Sequence, residues 1–294
     1  MQSRRRDLTG FALGLLAVII FAGSAPFTRI ALEGYSPWFI TFGRAAIATV
    51  GAVIALLIVR RPLPNGRALP AFAAGMLLVI IFPGMMALAF KTIPAAHGGV
   101  IMGMLPILTA LFAALIDGDR PSSLFWFCTI LGGVLVAAFA LRESGFVFSS
   151  GDIWLFLACP FCSLGYVISG KLSRHMTGWE VICWALVLVS PLTFLGAWFV
   201  WEPRFIQASS AAFWSLMYLG AFSMLLGFFA WNIGLAMGGI ARVGQVQLLQ
   251  TFFTLGLSAL LVGEHIGWDT LAFATAVVAL VAIARRAPIK KHTQ

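Results

Sequence analysis

Few side chains in this sequence have a type and spacing that does chemistry. Cys159 and Cys162 bracket Pro160-Phe161 in a C-x-x-C, the spacing of a redox pair or of half a metal site. Both fall in an apolar run with no histidine beside them and no second pair, and hydrocarbon disfavours the thiolates that such sites need. Together with Cys128 and Cys183 they read as small packing residues. His97, His175, His265 and His292 are scattered, without H-E-x-x-H spacing, and the chain has no Gly-rich phosphate loop, G-x-S-x-G elbow or paired carboxylates. No catalytic residue, metal ligand or cofactor is therefore expected, and a membrane-embedded acyl or prenyl transferase would lack the His or Asp cluster it needs.

The remaining polar groups suit binding. Gln247, Gln250, Thr251, Thr254 and Ser258 recur at i, i+3, i+4, i+7 and i+11, on one face of a helix. Two readings stand for this stripe: glue between helices, or the lining of a wet cavity. Arg44 lies seven residues inside an apolar run, a depth of about 10 Å at 1.5 Å per residue. It is either tied to backbone carbonyls as structure or supplies positive charge to a vestibule. Arg29, four residues before Glu33, is expected to pair with it and reach the interface. His97, a turn into its run, reads as a helix-end histidine bonded to a neighbour.

The elements that must position these residues follow from composition. Of 294 residues, 61% are hydrophobic and 10% charged, too few charges to cover a soluble globule, so lipid is the main solvent. Ten apolar stretches have the length of a membrane helix: Leu8–Ile30, Pro37–Val59, Leu69–Phe90, Pro94–Ile116, Ser123–Leu141, Asp152–Gly170, Gly178–Val200, Ala211–Gly234, Gly239–Val262 and Trp268–Ala284. The first is too long for a signal-peptide core and is expected to be retained. Connections are short and turn-rich, as in Arg60–Gly66 and Asp117–Pro121. Trp38, Trp201 and Trp268 near run ends suit an interfacial belt.

The net charge of +9 would suggest nucleic acid in a soluble protein, but its placement argues for orientation and against a nucleic-acid partner. Alternate loops collect Arg4, Arg5, Arg6, Arg60, Arg61, Arg67, Arg120, Lys171, Arg174, Arg242, Arg285, Arg286, Lys290 and Lys291, against Lys91, Arg142 and Arg204 on the other side. The positive-inside rule then puts both termini in the cytoplasm, which requires an even number of crossings. No carboxylate falls near mid-span: Glu33, Asp152, Glu180, Glu264 and Asp269 sit at run ends or in loops. Proton and cation coupling usually use an intramembrane Asp or Glu, so uncoupled transport is the simpler reading.

A shift of 144 residues sets Pro106 on Gln250, Leu105 on Leu249, Leu111 on Leu255 and the Asp119-Arg120 end on Gly263-Glu264. The linker Arg142–Gly151 divides the ten runs five and five, and an odd number of crossings inverts the second half relative to the first. The fold expected is an all-α membrane protein of ten transmembrane helices in two inverted five-helix repeats, residues 1–141 and 142–294. In the fourth run, Gly98, Gly99 and Gly103 allow close helix approach, and Pro106 is expected to break the helix beside a cavity.

With these features the chain resembles the drug/metabolite transporter superfamily, in its ten-helix EamA-type members. The matching residues are Gly23-Ser24, Arg44, Phe90-Lys91-Thr92-Ile93-Pro94-Ala95-Ala96 with Pro106 beyond, Trp231-Asn232 and Gly263-Glu264. It departs at Gln250, where such proteins commonly carry proline, and in a last helix without their usual glycines. The pattern is most similar to amino acid exporters of the YddG type. The resemblance implies a central cavity walled by helices 1, 3, 4, 6, 8 and 9, and rocking of the two halves. Candidate lining residues on those helices are Ser24, Met86, Phe90, Met102, Ser163 and Tyr166 in the first six, with Phe228, Trp231, Asn232, Gln247 and Gln250 in the later ones. Gly23, Arg44, Pro106 and Thr251 are the candidate gating or structural positions. Asn232 and the glutamines would meet a zwitterion's carboxylate and ammonium, and the Met and aromatic side chains its apolar group.

The expected function is inner-membrane export of amino acids, aromatic and other neutral ones, or similar small metabolites, by alternating access without a coupled ion. Multidrug or nucleotide-sugar exchange on the same fold is the alternative, with a channel-like pore behind it. The partners expected are a small-molecule substrate and the lipid bilayer.

Overall fold

The structure is a computed structural model that describes residues 2–290 except 65, 118–119, 144–147, 239–243 and 287–288. Arg242, Lys291, Asp119 and the expected start of the ninth run at Gly239 lie outside the described residues, as do the side chains of Arg4, Arg5, Arg6, Arg120, Arg285, Arg286 and Lys290. The described chain is helical apart from turns and a two-residue antiparallel pairing of Arg120–Pro121 with Ile289–Lys290. Seven helical stretches are long and apolar enough to cross a membrane, and Ser123–Phe139, Gln250–Val262 and Trp268–Ile283 are shorter apolar helices. Their outer faces are apolar: Ile58, Trp198 and Phe199 are each more than 75% exposed. Such a surface is stable against lipid and would aggregate in water. The protein is a multi-pass membrane protein.

Local sequence sets where the helices run and break. The first run is α1 (Gln2–Ala22) and α2 (Ser24–Ala31), parted at Gly23. There the Tyr218 ring lies so close that a Cβ would meet it within 3.1 Å, and its hydroxyl donates to the Ile20 carbonyl at 2.8 Å beside the break. The second run, α3 (Pro37–Val59), starts with Ser36 accepting from the Phe39 N–H and Pro37 in the first turn, and stops at Arg60 in the left-handed region. The third passes from α4 (Ala68–Gly75) through a π-helical stretch, Met76–Ile81, into α5 (Phe82–Ala89). Pro83 has no N–H to offer the preceding turn, and the widened turn accommodates it.

The fourth run is α6 (Ala95–Met102) and α7 (Leu105–Asp117), and its break falls at Gly103–Met104, earlier than expected. Pro106 is the second residue of α7, where a missing N–H costs no intrahelical bond, so it starts a helix instead of breaking one. Next come α8 (Ser123–Glu143), α9 (Ser150–Leu172, with Pro160 inside) and α10 (Gly178–Phe199). The eighth run mirrors the third: α11 (Ser210–Met217), a π stretch at Tyr218–Leu226, then α12 (Gly227–Gly238). A 3-10 turn, Gly244–Leu249, leads into α13 (Gln250–Val262), and α14 (Trp268–Arg286) closes the bundle. The helices after the two interruptions, α7 and α13, begin at Leu105 and Gln250, within a residue of the 144-residue register.

The bundle is held together across the middle of the sequence. The main packing partners are α1 with α12, α3 and α4 with α10, α5 and α7 with α9, α6 with α13 and α8 with α14. Each pair joins the first half of the chain to the second, so neither half buries its faces alone. Small residues set the closest approaches. A Cβ at Gly75 would meet the Ala185 carbonyl oxygen at 2.6 Å and Val189 at 2.8 Å, where α4 crosses α10. Gly75→Ala therefore forces two backbones apart and is expected to cost about 1–3 kcal/mol. Thermal unfolding in detergent checks this against Gly133→Ala, whose Cβ meets nothing within 4 Å. Equal melting temperatures for the two variants would refute the close-packing reading.

Candidate functional site

Where α2, α3, α5, α9, α12 and α13 converge, the side chains leave a cavity of about 40 Å³. Its polar part is a short chain of side chains. Arg44 is buried on α3, with 4% exposure, and its Nη2 donates to the Ser223 hydroxyl at 3.1 Å. Ser223 lies on the π stretch of the eighth run and shares a 2.6 Å hydrogen bond with Ser24, the first residue of α2. Arg44 Nε is buried with no hydrogen-bond partner, and so is Oε1 of Gln250, the first residue of α13. The rest of the wall is apolar or aromatic, with Phe21, Phe82, Met86, Met102, Tyr166 and Phe228 foremost. Small-molecule sites typically enclose roughly 300–1,000 Å³, so this cavity must widen to admit a metabolite.

A second, smaller cavity of about 10 Å³ adjoins it and shares Met102, Leu105 and Gln250. Gln247, Thr251, Thr254 and Pro106 line it, so the ninth-run stripe faces inward. Thr254 also donates to the Ala22 carbonyl at 3.3 Å, next to the break at Gly23, and packs against Gly99. The stripe therefore serves as glue and as lining at once. Among the described residues, neither cavity is lined by a carboxylate, and no group of three His, Cys, Asp or Glu is placed to hold a metal.

The structure gathers Ser24, Met86, Met102, Tyr166, Phe228 and Gln250 around the main cavity, with Arg44 among them. Trp231 stands behind that wall, edge-on to Phe21 at 6.3 Å between ring centres. Phe90 is fully buried against Gly98, and its carbonyl accepts from Arg29. Ser163 donates to the Leu105 carbonyl at 3.3 Å, beside the fourth-run break. Asn232 lies away from the cavity, its amide spent on the Gly178 carbonyl at 2.8 Å. Gly23 and Pro106 sit at the helix interruptions. Ser223, Phe21, Leu78, Phe82, Pro83, Leu105, Cys162 and Met224 also line the cavity and were not expected there from the sequence. An isolated serine in an apolar run has no pattern to mark it, and only the placement of Arg44 opposite singles out Ser223.

Polar ties close one end of the bundle. Glu264, after α13, accepts from the Ala95 and Ala96 N–H groups at 2.7 Å each, at the start of α6. In the next residue, His97, Nε2 lies 2.7 Å from Asp152 Oδ1, both buried. Asp152 Oδ2 also accepts from the Ser149 N–H and hydroxyl, completing a capping box on α9. Arg142 pairs with Asp269 at 3.0 Å. Arg29 does not form the expected pair with Glu33: its Nη1 donates to the carbonyls of Phe90 and Ile93, at 2.5 and 3.4 Å, because the end of α5 presents acceptors that no helical N–H reaches. At the other end, Arg61 lies 2.7 Å from Glu180.

The profile of the EamA-like transporter family matches residues 8–141 and again 149–285. An uncharacterized transporter, YdeK of Bacillus subtilis, is 43% identical over 282 residues, covering 96% of this chain and 98% of that protein. A probable terminal-alkyne amino-acid exporter of Streptantibioticus cattleyicolor is 28% identical, over 82% of this chain and 84% of its own. The aromatic amino acid exporter YddG of Salmonella typhimurium is 22% identical, over 87% and 90%. The two matched segments take in every helix that walls the cavity, and on that footing the chain belongs to the EamA-like transporter family.

Proposed function

We propose that this transporter exports amino acids, aromatic and other neutral ones, or similar small metabolites across the cell inner membrane by alternating access, with no coupled ion. The observation that carries the reading is the cavity between the two halves of the chain, in which Arg44, Ser223, Ser24 and Gln250 interrupt a wall of aromatic and Met side chains. A small molecule with one charged or polar end and one apolar end matches that wall, and relatives named as amino acid exporters support the same substrate class. In this reading ten helices cross the bilayer as two inverted halves, residues 1–141 and 142–294, with both termini cytoplasmic. The basic loops support that orientation. Gly23 and Gly103, at helix interruptions on either side of the cavity, are the hinges about which it widens.

The uncoupled mechanism rests on the lining: no described cavity residue is an acid, and the buried His97–Asp152 pair is engaged in a helix cap away from the cavity. Three methionines in the wall, Met86, Met102 and Met224, favour a second reading as a multidrug exchanger, since Met adapts to varied apolar shapes. Purified protein in liposomes decides between them. Labelled phenylalanine or leucine is expected to move down its gradient with equal pH on both sides, and unlabelled neutral amino acids to compete better than peptides, sugars or drugs. Movement only under an imposed pH difference would overturn the uncoupled mechanism. Competition by drugs alone would overturn the amino acid reading.

A further inference from the structure

We propose that Arg44 is the group that recognises the substrate's carboxylate, so that the site selects monocarboxylates with an apolar side group and treats the ammonium as secondary. The proposal deepens the amino acid reading and rests on it for the transport arm of its test. Arg44 is buried to 96%, lines the central cavity and is only partly satisfied: Nη2 donates to Ser223, while Nε is buried without a partner. Nε and Nη2 together form the fork that matches the two oxygens of a carboxylate. Among the described residues Arg44 takes part in no ion pair, and none of the described residues lining its cavity is a carboxylate. A guanidinium removed from water without a counter-ion is strongly disfavoured, and one that faces a cavity gains most from an anionic ligand that enters there.

The neighbours fit the remainder of such a ligand. Ser223 and Ser24 hold the guanidinium in place through their shared hydrogen bond and leave Nε without a protein partner. Gln250 Oε1, an acceptor buried without a partner in the same cavity, suits an N–H donor such as an ammonium. Phe21, Phe82 and Phe228 provide the apolar pocket. Asn232, the residue that resemblance would assign to a zwitterion, is bonded to Gly178 and leaves this role to Arg44.

The test uses purified full-length protein in liposomes, with labelled phenylalanine and four competitors: phenylalanine, 3-phenylpropionate, phenylalaninamide and 2-phenylethylamine. Wild type is expected to bind 3-phenylpropionate within about tenfold of phenylalanine, and the amide and the amine at least about 30-fold more weakly, the usual loss when a buried charge is left unpaired. Arg44→Gln should collapse that acid-over-amide ratio toward one, with Arg44→Lys in between, whereas a merely structural arginine would lower activity without changing the ratio. Gln250→Leu should weaken phenylalanine and leave 3-phenylpropionate unchanged. An amide that competes with wild type as well as the acid overturns the proposal even if the Arg44 variants fail to fold. If wild type moves no amino acid, the amino acid reading fails separately. The shift in melting temperature of the detergent-purified protein with 3-phenylpropionate against 2-phenylethylamine then tests Arg44 directly, and equal shifts refute it.

Discussion

Glu264→Ala is expected to cost about 2–3 kcal/mol and to lower the melting temperature of the purified protein by about 5 °C or more. The carboxylate accepts two short hydrogen bonds from Ala95 and Ala96, which lie among the first N–H groups of α6 and have no acceptor within that helix. Those bonds are charge-assisted and stand at the positive end of the helix dipole, so each exceeds an ordinary hydrogen bond in strength. Gly263, with φ of 71°, ends α13 and turns the chain, and the Glu264 N–H returns to the Ser258 carbonyl at 3.3 Å. Glu264→Gln keeps an acceptor and loses the charge, so its loss should be smaller. Because the clamp joins the end of α13 to the start of α6, its removal should also alter how often that end of the bundle opens, read as a changed transport rate. A variant with unchanged stability and unchanged rate would show that the clamp bears no load.

Asp152→Ala should be equally damaging, at about 3 kcal/mol. It removes the acceptor for the Ser149 N–H and hydroxyl, a helix cap worth about 1 kcal/mol, and it strips buried His97 of its Asp152 partner, which costs a further 1–3 kcal/mol. Asp152→Asn retains an oxygen for the cap and a hydrogen-bonding group for the imidazole, so most of the stability should remain. The His97–Asp152 contact ties α6 to α9, one helix from each half, and a double-mutant cycle with His97→Phe should give a coupling of at least about 1 kcal/mol. Additive losses in that cycle would mean that the two residues act independently.

How much of this was legible in the sequence depends on the length scale of each signal. Seven of the apolar runs emerged with nearly correct bounds, because about 20 residues of hydrocarbon exposure leave a mark that no single side chain can hide, whereas the ninth is an α-helix only from Gln250. The inward face of Gln247, Thr251, Thr254 and Ser258 was legible for the same reason: about three turns repeat the message. The glycines Gly98 and Gly99 marked a real close approach, against Phe90 and Thr254. Single residues misled. Pro106 drew attention as a helix breaker, yet the chain parts at Gly103–Met104 and uses the proline to begin again. Arg29 had a glutamate at ideal helical spacing and chose carbonyls from a helix distant in sequence. Ser223, Phe21 and Met224 reach the cavity through contacts between runs, which no pattern within one run encodes. Asn232 was assigned to a binding site through the family resemblance, and its amide donates to the Gly178 carbonyl away from the cavity.

The two π-helical stretches carry a mechanistic consequence. Met76–Ile81 and Tyr218–Leu226 occupy the third and eighth runs and flank the cavity through Leu78 and Ser223. A π turn shifts the register of every side chain beyond it, and such turns recur at functional sites. With the interruptions at Gly23 and Gly103, the cavity is bordered by irregular backbone on four runs, whereas α3, α9 and α10 are continuous helices. That arrangement suits a cavity of about 40 Å³ that must enlarge before a metabolite enters.

Counterflow tests the central claim most directly. Liposomes that contain the purified protein are loaded with unlabelled phenylalanine and diluted, at equal pH, into a trace of the labelled compound. A carrier working by alternating access predicts transient accumulation of label above equilibrium, an initial rate that saturates with external phenylalanine, and stimulation by the internal pool. Label that only equilibrates, at a rate proportional to concentration and indifferent to the internal pool, would contradict the account and identify a pore.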